Sequence, residues 1–248
     1  MSSNNQNKEK IERLSQIVQG SNNIVFFGGA GVSTESGVPD FRSVDGLYNQ
    51  KFKYPPETML SHSFYVSHKQ EFYDFYREKL LIDNIKPNAA HKKLAEWEAN
   101  GKCKAVITQN IDGLHQAAGS KNVLELHGST LRNYCEGCHA FYGAEKIKAS
   151  NGVPKCDKCG SDIKPDVVLY EESLKENVIR NAVNAIANCD VLIVGGTSLV
   201  VYPAASMVQY YTGNKLIVVN SSNLKNVQAN LFIQGKIGEV FSSVNFKF

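Results

Sequence analysis

Four cysteines occur as two Cys-x-x-Cys pairs, Cys135 with Cys138 and Cys156 with Cys159, separated by 17 residues. Each pair can supply two thiolates to one tetrahedral ion, and this spacing is a strong signal for zinc. Four sulfur ligands would leave no position for a substrate water, so we expect one structural zinc and no zinc-hydrolase centre. A nucleic-acid-binding zinc ribbon is the functional alternative, and no basic, aromatic-rich sequence surrounds the cysteines to favour it.

A second group of chemically active side chains follows short apolar runs at the point where each run ends. Gln109, Asn110 and Asp112 follow one run and His127 follows the next. Two later runs are followed in the same way by Thr197, Ser198 and Asn220. An imidazole pKa near ~6.5 suits a general base, although a lone histidine at a strand end is more often a hydrogen-bonded structural residue. Asn110 and Asp112 are alternatively turn formers.

A glycine-rich turn from Gly28 to Thr34 follows the first apolar run. Gly29 and Gly31, with Ala30 between them, let a backbone approach a pyrophosphate, whose charge a following helix N-terminus also favours. Thr34 replaces the third glycine of G-x-G-x-x-G, and the second strand lacks the usual acidic ribose ligand. The turn is therefore compatible with a nucleotide site or with a tight strand-to-helix connection, and it disfavours a hydride-transferring dehydrogenase.

The elements that must position these side chains are short apolar strands that alternate with amphipathic helices. Apolar runs predict strands over Ile24–Phe27, Ala105–Thr108, Val123–Leu126, Val191–Val194 and Leu216–Val219. Helical spacing of apolar residues predicts helices over Lys8–Val18, Ala89–Ala99, Ser173–Ala187 and Pro203–Tyr211. Parallel strands need crossover helices on both faces, so we predict an α/β fold with a Rossmann-like, doubly wound parallel sheet. Ligands bind such sheets beyond the carboxyl ends of the strands, where the polar residues converge.

Two segments interrupt this alternation and are predicted to form a smaller lobe. Residues 45–86 are aromatic and helical in pattern, and residues 132–165 carry the four cysteines with little hydrophobic periodicity. We therefore predict a discontinuous large lobe from residues 1–44, 87–131 and 166–248. The helical insertion and the zinc-binding insertion together form the small lobe.

Composition excludes several classes of protein. Apolar residues make up 42% of the 248 residues and charged residues 21%, which is ordinary globular usage and unlike a disordered chain or a coiled coil. No apolar run approaches the ~20 residues that cross a bilayer, and the N-terminus lacks the apolar core of a signal peptide. The net charge of +3 is spread without a basic stripe. We expect a cytoplasmic protein that binds neither membranes nor nucleic acid directly.

Several long motifs, in order, carry a resemblance to a known family. They are the glycine turn continued through Glu35–Ser43, and the segments Thr108–His115, Glu125–Gly128 and Gly195–Leu199. Together they resemble the sirtuins, the NAD-dependent protein-lysine deacylases. The resemblance extends from about Ile24 to Glu239, which is nearly the whole chain.

The resemblance implies three catalytic residues. His127 would be the base that activates a ribose hydroxyl of NAD. Asn110 would order the nicotinamide ribose and a water, and Asp112 would hold the nicotinamide carboxamide with help from the backbone of Ile111. In the reaction so implied, the acyl oxygen of a modified lysine attacks the anomeric carbon as nicotinamide leaves, and the 2′ oxygen then attacks the imidate. Hydrolysis of the resulting intermediate by water then gives free lysine and O-acyl-ADP-ribose, beside the nicotinamide already released.

The resemblance also implies a set of NAD contacts. Phe41 would cover the reactive ribose carbon and exclude water, while Arg42 would organise the same loop. Phosphates, adenosine ribose and adenine would meet later segments of the chain. The full set of implied contacts is Gly29, Ala30, Gly31, Thr34, Asp40, Phe41, Arg42, Gln109, Asn110, Ile111, Asp112, Gly196, Thr197, Ser198, Asn220, Ser221, Lys236 and Ile237.

On the substrate side, the family adds the acyl-lysine peptide as a strand between the two lobes. The segment Asp166–Glu172 resembles the loop that receives it, with His127, Val168, Tyr170 and Glu171 as the implied substrate contacts. The family commonly has Phe-Gly-Glu where this chain has Tyr170-Glu171-Glu172. A side chain in place of glycine could crowd the peptide or change its preferred sequence.

The acyl group is predicted to be neutral, with acetyl first. Sirtuins that remove acidic acyl groups pair a Tyr with an Arg three positions later, whereas here Tyr76 stands three positions after Tyr73 and Arg77 is one place off. One residue turns a helical side chain by about 100°. These aromatic residues could instead only pack the helix. Two other functions remain open: mono-ADP-ribosyl transfer to a protein, and a non-catalytic sensor of NAD or ADP-ribose.

Overall fold

The computed structural model describes residues 3–41, 46, 52–224 and 227–245. In chain order its strands are β1 (Ile24–Gly28), β2 (Cys103–Thr108), β3 (Val123–Glu125), β4 (Gly128–Cys135), β5 (Phe141–Tyr142), β6 (Ile163–Val167), β7 (Val191–Gly195), β8 (Leu216–Asn220) and β9 (Leu231–Gln234). The α-helices are α1 (Ser3–Gln19), α2 (Pro56–Met59), α3 (His62–Ser67), α4 (Lys69–Lys79), α5 (Ala89–Ala99), α6 (Leu114–Ala117), α7 (Ala144–Ala149), α8 (Glu176–Asn188) and α9 (Ile237–Ser242). Within these residues, no helix combines the length and apolar character that a bilayer crossing requires.

The large sheet is parallel and doubly wound, which confirms the predicted fold class. Its strand order is β3-β2-β1-β7-β8-β9, and every neighbouring pair runs parallel. The chain builds outward from β1 through β2 and β3, then returns to the other side of β1 with β7. This reversal opens a crevice beyond the carboxyl ends of β1 and β7, where α/β sheets bind ligands.

Helices cover both faces of this sheet because its side chains alternate between two apolar layers. Phe26 of β1 packs with Trp97 of α5 and Phe241 of α9, while its neighbours Val25 and Phe27 pack on the opposite face. The five residues of β1 are all buried, as are those of β7. A continuous apolar run is typical of a strand that is covered on both faces, so the sequence predicts these two strands.

A smaller lobe packs around a second, antiparallel sheet in the order β5-β4-β6. Its apolar core joins aromatic residues of α4, including Phe72 and Tyr76, to Ile147 of α7 and Ile163 of β6. Arg132 of β4 ties the lobes together, since its guanidinium contacts Glu125 of the large sheet at 2.7 Å and Asp166 of the small sheet at 3.0 Å.

The structure differs from the sequence-based expectations in several elements. The chain over Ala204–Tyr210 forms a 3-10 helix where an α-helix was expected, and α8 begins three residues later than expected. Strand β9 and the small antiparallel sheet were not predicted. Strand β4 runs across the predicted lobe boundary at residues 131 and 132, and β6 continues past the predicted boundary at 165. The predicted residue bounds of the two lobes stay a prediction.

Candidate functional site

A cavity of about 780 Å³ lies beyond the carboxyl ends of the large sheet and extends between the lobes. Strands β1, β2, β7 and β8 each end at its wall. The residues expected from the sequence that line it are Gly29, Ala30, Gly31, Asp40, Phe41, Gln109, Asn110, Ile111, Asp112, His127, Val168, Tyr170, Glu171, Gly196, Thr197, Ser198, Asn220 and Ser221. The topology therefore brings most of the expected site together.

Four of the expected NAD contacts lie outside the cavity or outside the described residues. Thr34, Lys236 and Ile237 do not line the cavity. The Thr34 hydroxyl donates to the Gly31 carbonyl at 3.0 Å, and Ile237 is buried in the core of the large lobe. Arg42 lies outside the described residues. Cofactor contacts by these four residues stay predictions.

Two glycine turns pack against each other at the floor of the cavity. The Gly31 amide donates to the Gly196 carbonyl at 2.8 Å. A Cβ added at Gly31 would lie 2.9 Å from the Gly196 Cα, and Gly196 itself has a left-handed φ of 58°. These glycines are thus required by the contact between the turns after β1 and β7. The glycine pattern in the sequence reflects this packing as well as any approach to a phosphate.

Ser33 is a central residue of the site that the sequence interpretation missed. It is fully buried, its hydroxyl donates to Asp112 Oδ2 at 2.6 Å, and it accepts a hydrogen bond from Asn110 Nδ2 at 3.0 Å. Asp112 Oδ1 also accepts the Leu114 amide at 2.9 Å, so both carboxylate oxygens are held. A serine inside a glycine turn gives no local signal of this role, because its partners come from another strand.

His91 supports this network from α5. Its Nδ1 accepts the backbone N–H of Asn88 at 3.3 Å, so Nε2 carries the proton and faces Ser33 Oγ at 3.4 Å. Burial lowers the pKa of His91, and the neighbouring Asp112 opposes this only in part. The ring of His115 packs edge-on against it, with centroids 4.7 Å apart. A neutral His91 therefore completes the hydrogen bonding of Ser33.

His127 has the geometry of a general base. Its Nδ1 lies 2.9 Å from the Gln109 carbonyl oxygen. Because a carbonyl can only accept, Nδ1 carries the proton and Nε2 of the neutral ring keeps its lone pair. Burial lowers the pKa of His127, while the Gln109 carbonyl partly offsets that effect. The neutral, proton-accepting form thus prevails at neutral pH.

The wall beyond β7 is fixed by a contact that crosses the reversal point of the sheet. Gln109 Nε2 donates to Thr197 Oγ1 at 3.1 Å, and this oxygen also accepts the Leu199 amide at 3.2 Å. Asn220, at the end of β8, donates through Nδ2 to the Ser222 carbonyl at 2.9 Å. Hydroxyls and amides from three strand ends therefore surround the part of the cavity expected to hold phosphate and ribose.

On the small-lobe side, the segment Val168–Glu172 lies between the two lobes. The Val168 amide donates to the His127 carbonyl at 3.0 Å. On its other side Tyr170 pairs with the chain at the start of α3: its amide donates to the Leu60 carbonyl and its carbonyl accepts from the His62 amide, each at 3.0 Å. Glu171 adopts a left-handed φ of 74°. This segment reaches from the histidine to the helical part of the small lobe.

The four cysteines fit a single tetrahedral metal ion. Their sulfur atoms all lie within 4.8 Å of one another, with Cys135 and Cys159 at 3.3 Å and Cys138 and Cys156 at 3.6 Å. Zn–S bonds of about 2.3 Å give a tetrahedron with edges of about 3.8 Å. The Gly137 amide, at 3.3 Å from Cys135 Sγ, adds a donor that favours thiolate. The cluster is compatible with a structural zinc, and none of its cysteines lines the cavity.

Comparison with known proteins identifies close relatives over nearly the whole chain. Residues 29–203 match the family model described as the Sir2 family. An NAD-dependent protein deacetylase from Clostridium perfringens is 58% identical over 240 residues, which cover 95% of this chain and 98% of the relative. One from Fusobacterium nucleatum is 45% identical over 239 residues, covering 95% and 91%.

Solved structures of Sir2 enzymes have the same fold as this chain. A structure that describes the mechanism and regulation of Sir2 enzymes superposes with a TM-score of 0.86 at 41% identity, over 96% of each chain. A Sir2 complex with a p53 peptide and NAD+ has a TM-score of 0.82 at 38% identity, over 94% of this chain and 96% of that one. Sequence, fold and the cavity at the sheet reversal agree, and the chain belongs to the Sir2 family.

Proposed function

We propose that this chain is an NAD-dependent protein-lysine deacetylase, which uses one NAD and one water per acyl group and gives nicotinamide, free lysine and O-acyl-ADP-ribose. The observation that carries the proposal is the hydrogen bond from His127 Nδ1 to the Gln109 carbonyl, which leaves Nε2 as a proton acceptor in the cavity. Asn110 and Asp112 line the same cavity. Bound NAD supplies an anomeric carbon that accepts the acyl oxygen as nicotinamide departs.

His127 acts as the base in this proposal. Its Nε2 takes a proton from a ribose hydroxyl, and the Gln109 carbonyl stabilises the imidazolium that results through Nδ1–H. Asn110 and Asp112 orient nicotinamide and its ribose, and the buried Ser33 holds their side chains in place. Binding of NAD alone would not require a base, so the presence of His127 beside Asn110 and Asp112 favours catalysis.

The proposed NAD contacts follow the cavity wall. The turns around Gly31 and Gly196, with Thr197 and Ser198, cradle the phosphates, and Asn220 with Ser221 meets the adenosine ribose. Phe41 covers the reactive carbon. Gly29, Ala30, Asp40, Gln109 and Ile111 complete the proposed contacts within the described cavity.

The proposed acyl-lysine peptide lies against Val168, Tyr170 and Glu171, within reach of His127. We propose a neutral acyl group, with acetyl first. Tyr73 and Tyr76 are fully buried in the small-lobe core. Arg77 donates to the Gly152 carbonyl at 2.8 Å and pairs with Asp74 at 2.7 Å, so it offers no charge to an acidic acyl group in the cavity.

The proposed targets are acyl-lysines of proteins. We propose no membrane or nucleic-acid partner, and the proposed location is the cytoplasm. None of the six cysteines is in a disulfide bond. The lack of disulfides and a four-cysteine metal site suit a reducing compartment.

The test is to incubate the protein with NAD and an acetyl-lysine peptide and to follow nicotinamide and peptide mass together. Equal release of nicotinamide and deacetylated peptide, lost in His127→Ala, is the expected result. Transfer of ADP-ribose to protein without deacetylation would favour the transferase. Binding of NAD with no turnover on acetyl or longer acyl peptides would favour a sensor.

A further inference from the structure

Glu171 combines a strained backbone with a held side chain. Its φ of 74° lies in the left-handed region, which a residue with a Cβ rarely adopts. Its carboxylate accepts two hydrogen bonds from Ser63, one from the backbone amide to Oε2 at 2.9 Å and one from Oγ to Oε1 at 3.0 Å. Strained residues persist where the surrounding contacts over-determine them, often at functional sites.

These two hydrogen bonds belong to a larger set that fastens the same segment to the small lobe. Tyr170 exchanges backbone hydrogen bonds with Leu60 and His62. Glu172 Oε1 lies 2.9 Å from His62 Nδ1. All of these contacts involve the stretch from Leu60 to Ser63, which includes the first two residues of α3, so Glu171 and its neighbours are held by one small-lobe element.

The other side of the segment meets the catalytic side of the cavity. The Val168 amide donates to the His127 carbonyl at 3.0 Å, and both residues line the cavity together with Glu171. Among the described residues, the backbone N–H and C=O of Glu171 itself have no backbone hydrogen-bond partner. The position of Glu171 therefore decides where its own N–H and C=O stand beside the cavity, while the Tyr170 carbonyl and the Glu172 amide on either side are already hydrogen-bonded.

We propose that Glu171 is a positioning residue, whose carboxylate clamps the segment Val168–Glu172 to Ser63 and so sets the affinity for the acyl-lysine peptide. The inference rests on the proposed function, which supplies the peptide. In this proposal the Glu171 side chain favours peptide binding and does not crowd the peptide. A side chain bound to Ser63 is drawn towards α3, so it holds the receiving backbone in place and leaves the peptide path open.

The direction in which the peptide KM changes in Glu171→Gly distinguishes a clamp from an obstruction. Glu171→Gly accepts the left-handed φ but removes the carboxylate, so a clamp predicts a peptide KM raised by roughly three- to tenfold because the binding-competent segment is less populated. The NAD KM and kcat stay within about twofold. Glu171→Gln keeps the length and an acceptor for the Ser63 amide, and it retains near-original peptide KM. A lower peptide KM in Glu171→Gly would identify an obstruction and overturn the proposal.

Two further variants test whether Ser63 is the partner, and a third serves as the control. Ser63→Ala removes one of the two hydrogen bonds and gives an intermediate rise in peptide KM. The double variant with Glu171→Gly is no worse than Glu171→Gly alone, because the two changes break the same contact. Glu57→Gln, which removes an exposed charge from α2, leaves the peptide KM unchanged. Additive effects of the two changes would contradict the clamp.

Hydrogen exchange provides a readout that needs no turnover. In Glu171→Gly the amides of His62 and Tyr170, which are hydrogen-bonded across the segment, exchange faster, while amides of β1 and β7 are unchanged. Unchanged exchange at His62 and Tyr170 would overturn the clamp even if the enzyme is active. Failure of the original chain to deacetylate any acyl peptide would count against the proposed function alone.

Discussion

Ser33 Oγ lies 2.6 Å from Asp112 Oδ2, so a buried hydroxyl from the turn after β1 holds a carboxylate that follows β2. The same oxygen accepts from Asn110 at 3.0 Å. This contact links two neighbouring strand ends and orders both side chains that are proposed to hold nicotinamide and its ribose. The charged partner makes the hydrogen bond stronger than one between neutral groups.

Replacing Ser33 by alanine is expected to lower kcat/KM for NAD by roughly 10- to 100-fold. Loss of a hydrogen bond to a charged group costs about 1.5–3 kcal/mol, and Asn110 loses its acceptor as well. Steady-state kinetics with varied NAD measures the effect. Ser243→Ala, an exposed serine of the C-terminal region, is the matched control. A wild-type kcat/KM in Ser33→Ala would show that Asp112 does not need this support.

The large sheet could be predicted because each of its main strands is marked by a continuous apolar run in its own sequence. Strands β1 and β7 are continuous apolar runs that end in glycine, and polar residues at strand ends converge by topology. Strand β9 escaped detection because it has only four residues, of which Leu231 and Ile233 are the buried ones. Its contribution depends on pairing with β8.

The small sheet and the Ser33 network depend on contacts between distant residues. Strand β4 pairs with β6 through an irregular register between Ser129 and Asn133, which breaks the alternation that marks a strand. Ser33 gains its role only when β1, β2 and α5 come together. Glu171 was recognised from the sequence as a departure from the family pattern, but its left-handed backbone and its bond to Ser63 required the structure.

The pH dependence of the reaction tests the role of His127. The base must be neutral, so kcat/KM for the peptide falls as the pH drops through the folded-state pKa of His127. Burial lowers this pKa, which places the acidic limb below the ordinary value of about 6.5. A pH–rate profile, combined with an NMR titration of the imidazole resonance that disappears in His127→Ala, checks the assignment. An acidic limb centred above pH 7 would contradict it.

Removal of the metal is expected to destabilise the small lobe. Cys156→Ser leaves three thiolates, so the zinc content falls below one per chain and Tm falls by more than about 5 °C. Cys189→Ala is the control: its sulfur lies outside the cluster, and burial raises the pKa of this thiol to about 12. Elemental analysis and thermal unfolding measure both effects. One zinc per chain in Cys156→Ser would show that this sulfur is not a ligand.

His115 makes the folded protein sensitive to acid. Burial lowers its pKa to about 3, with His91 adding to the effect, and neither ring nitrogen has a hydrogen-bond partner in the described structure. The unfolded chain takes up this proton below pH ~6.5, so the stability due to the neutral ring is lost as the pH falls from there towards 3. At pH 5 the loss is about 2 kcal/mol.

His115→Phe should therefore be more stable than the original chain at pH 5 and close to it at pH 8. Phenylalanine keeps a ring beside Phe26, whose centroid lies 6.2 Å from that of His115, and it does not titrate. Denaturant unfolding at the two pH values gives the comparison. An equal difference in the free energy of unfolding at pH 5 and pH 8 would contradict a titrating, buried His115.

A pair of glycine variants separates backbone strain from steric overlap at the cavity floor. Gly196 and Gly101 both have a left-handed φ, of 58° and 71°. A Cβ at Gly101 meets nothing within 4 Å, whereas one at Gly196 would lie 2.7 Å from the Gly31 carbonyl carbon. Gly101→Ala should cost about 1–2 kcal/mol, since only the backbone is strained. Gly196→Ala should cost more and also weaken NAD binding, because the two turns must separate. Denaturant unfolding and NAD titration measure the two variants, and equal losses of stability would show that the turns adjust without cost.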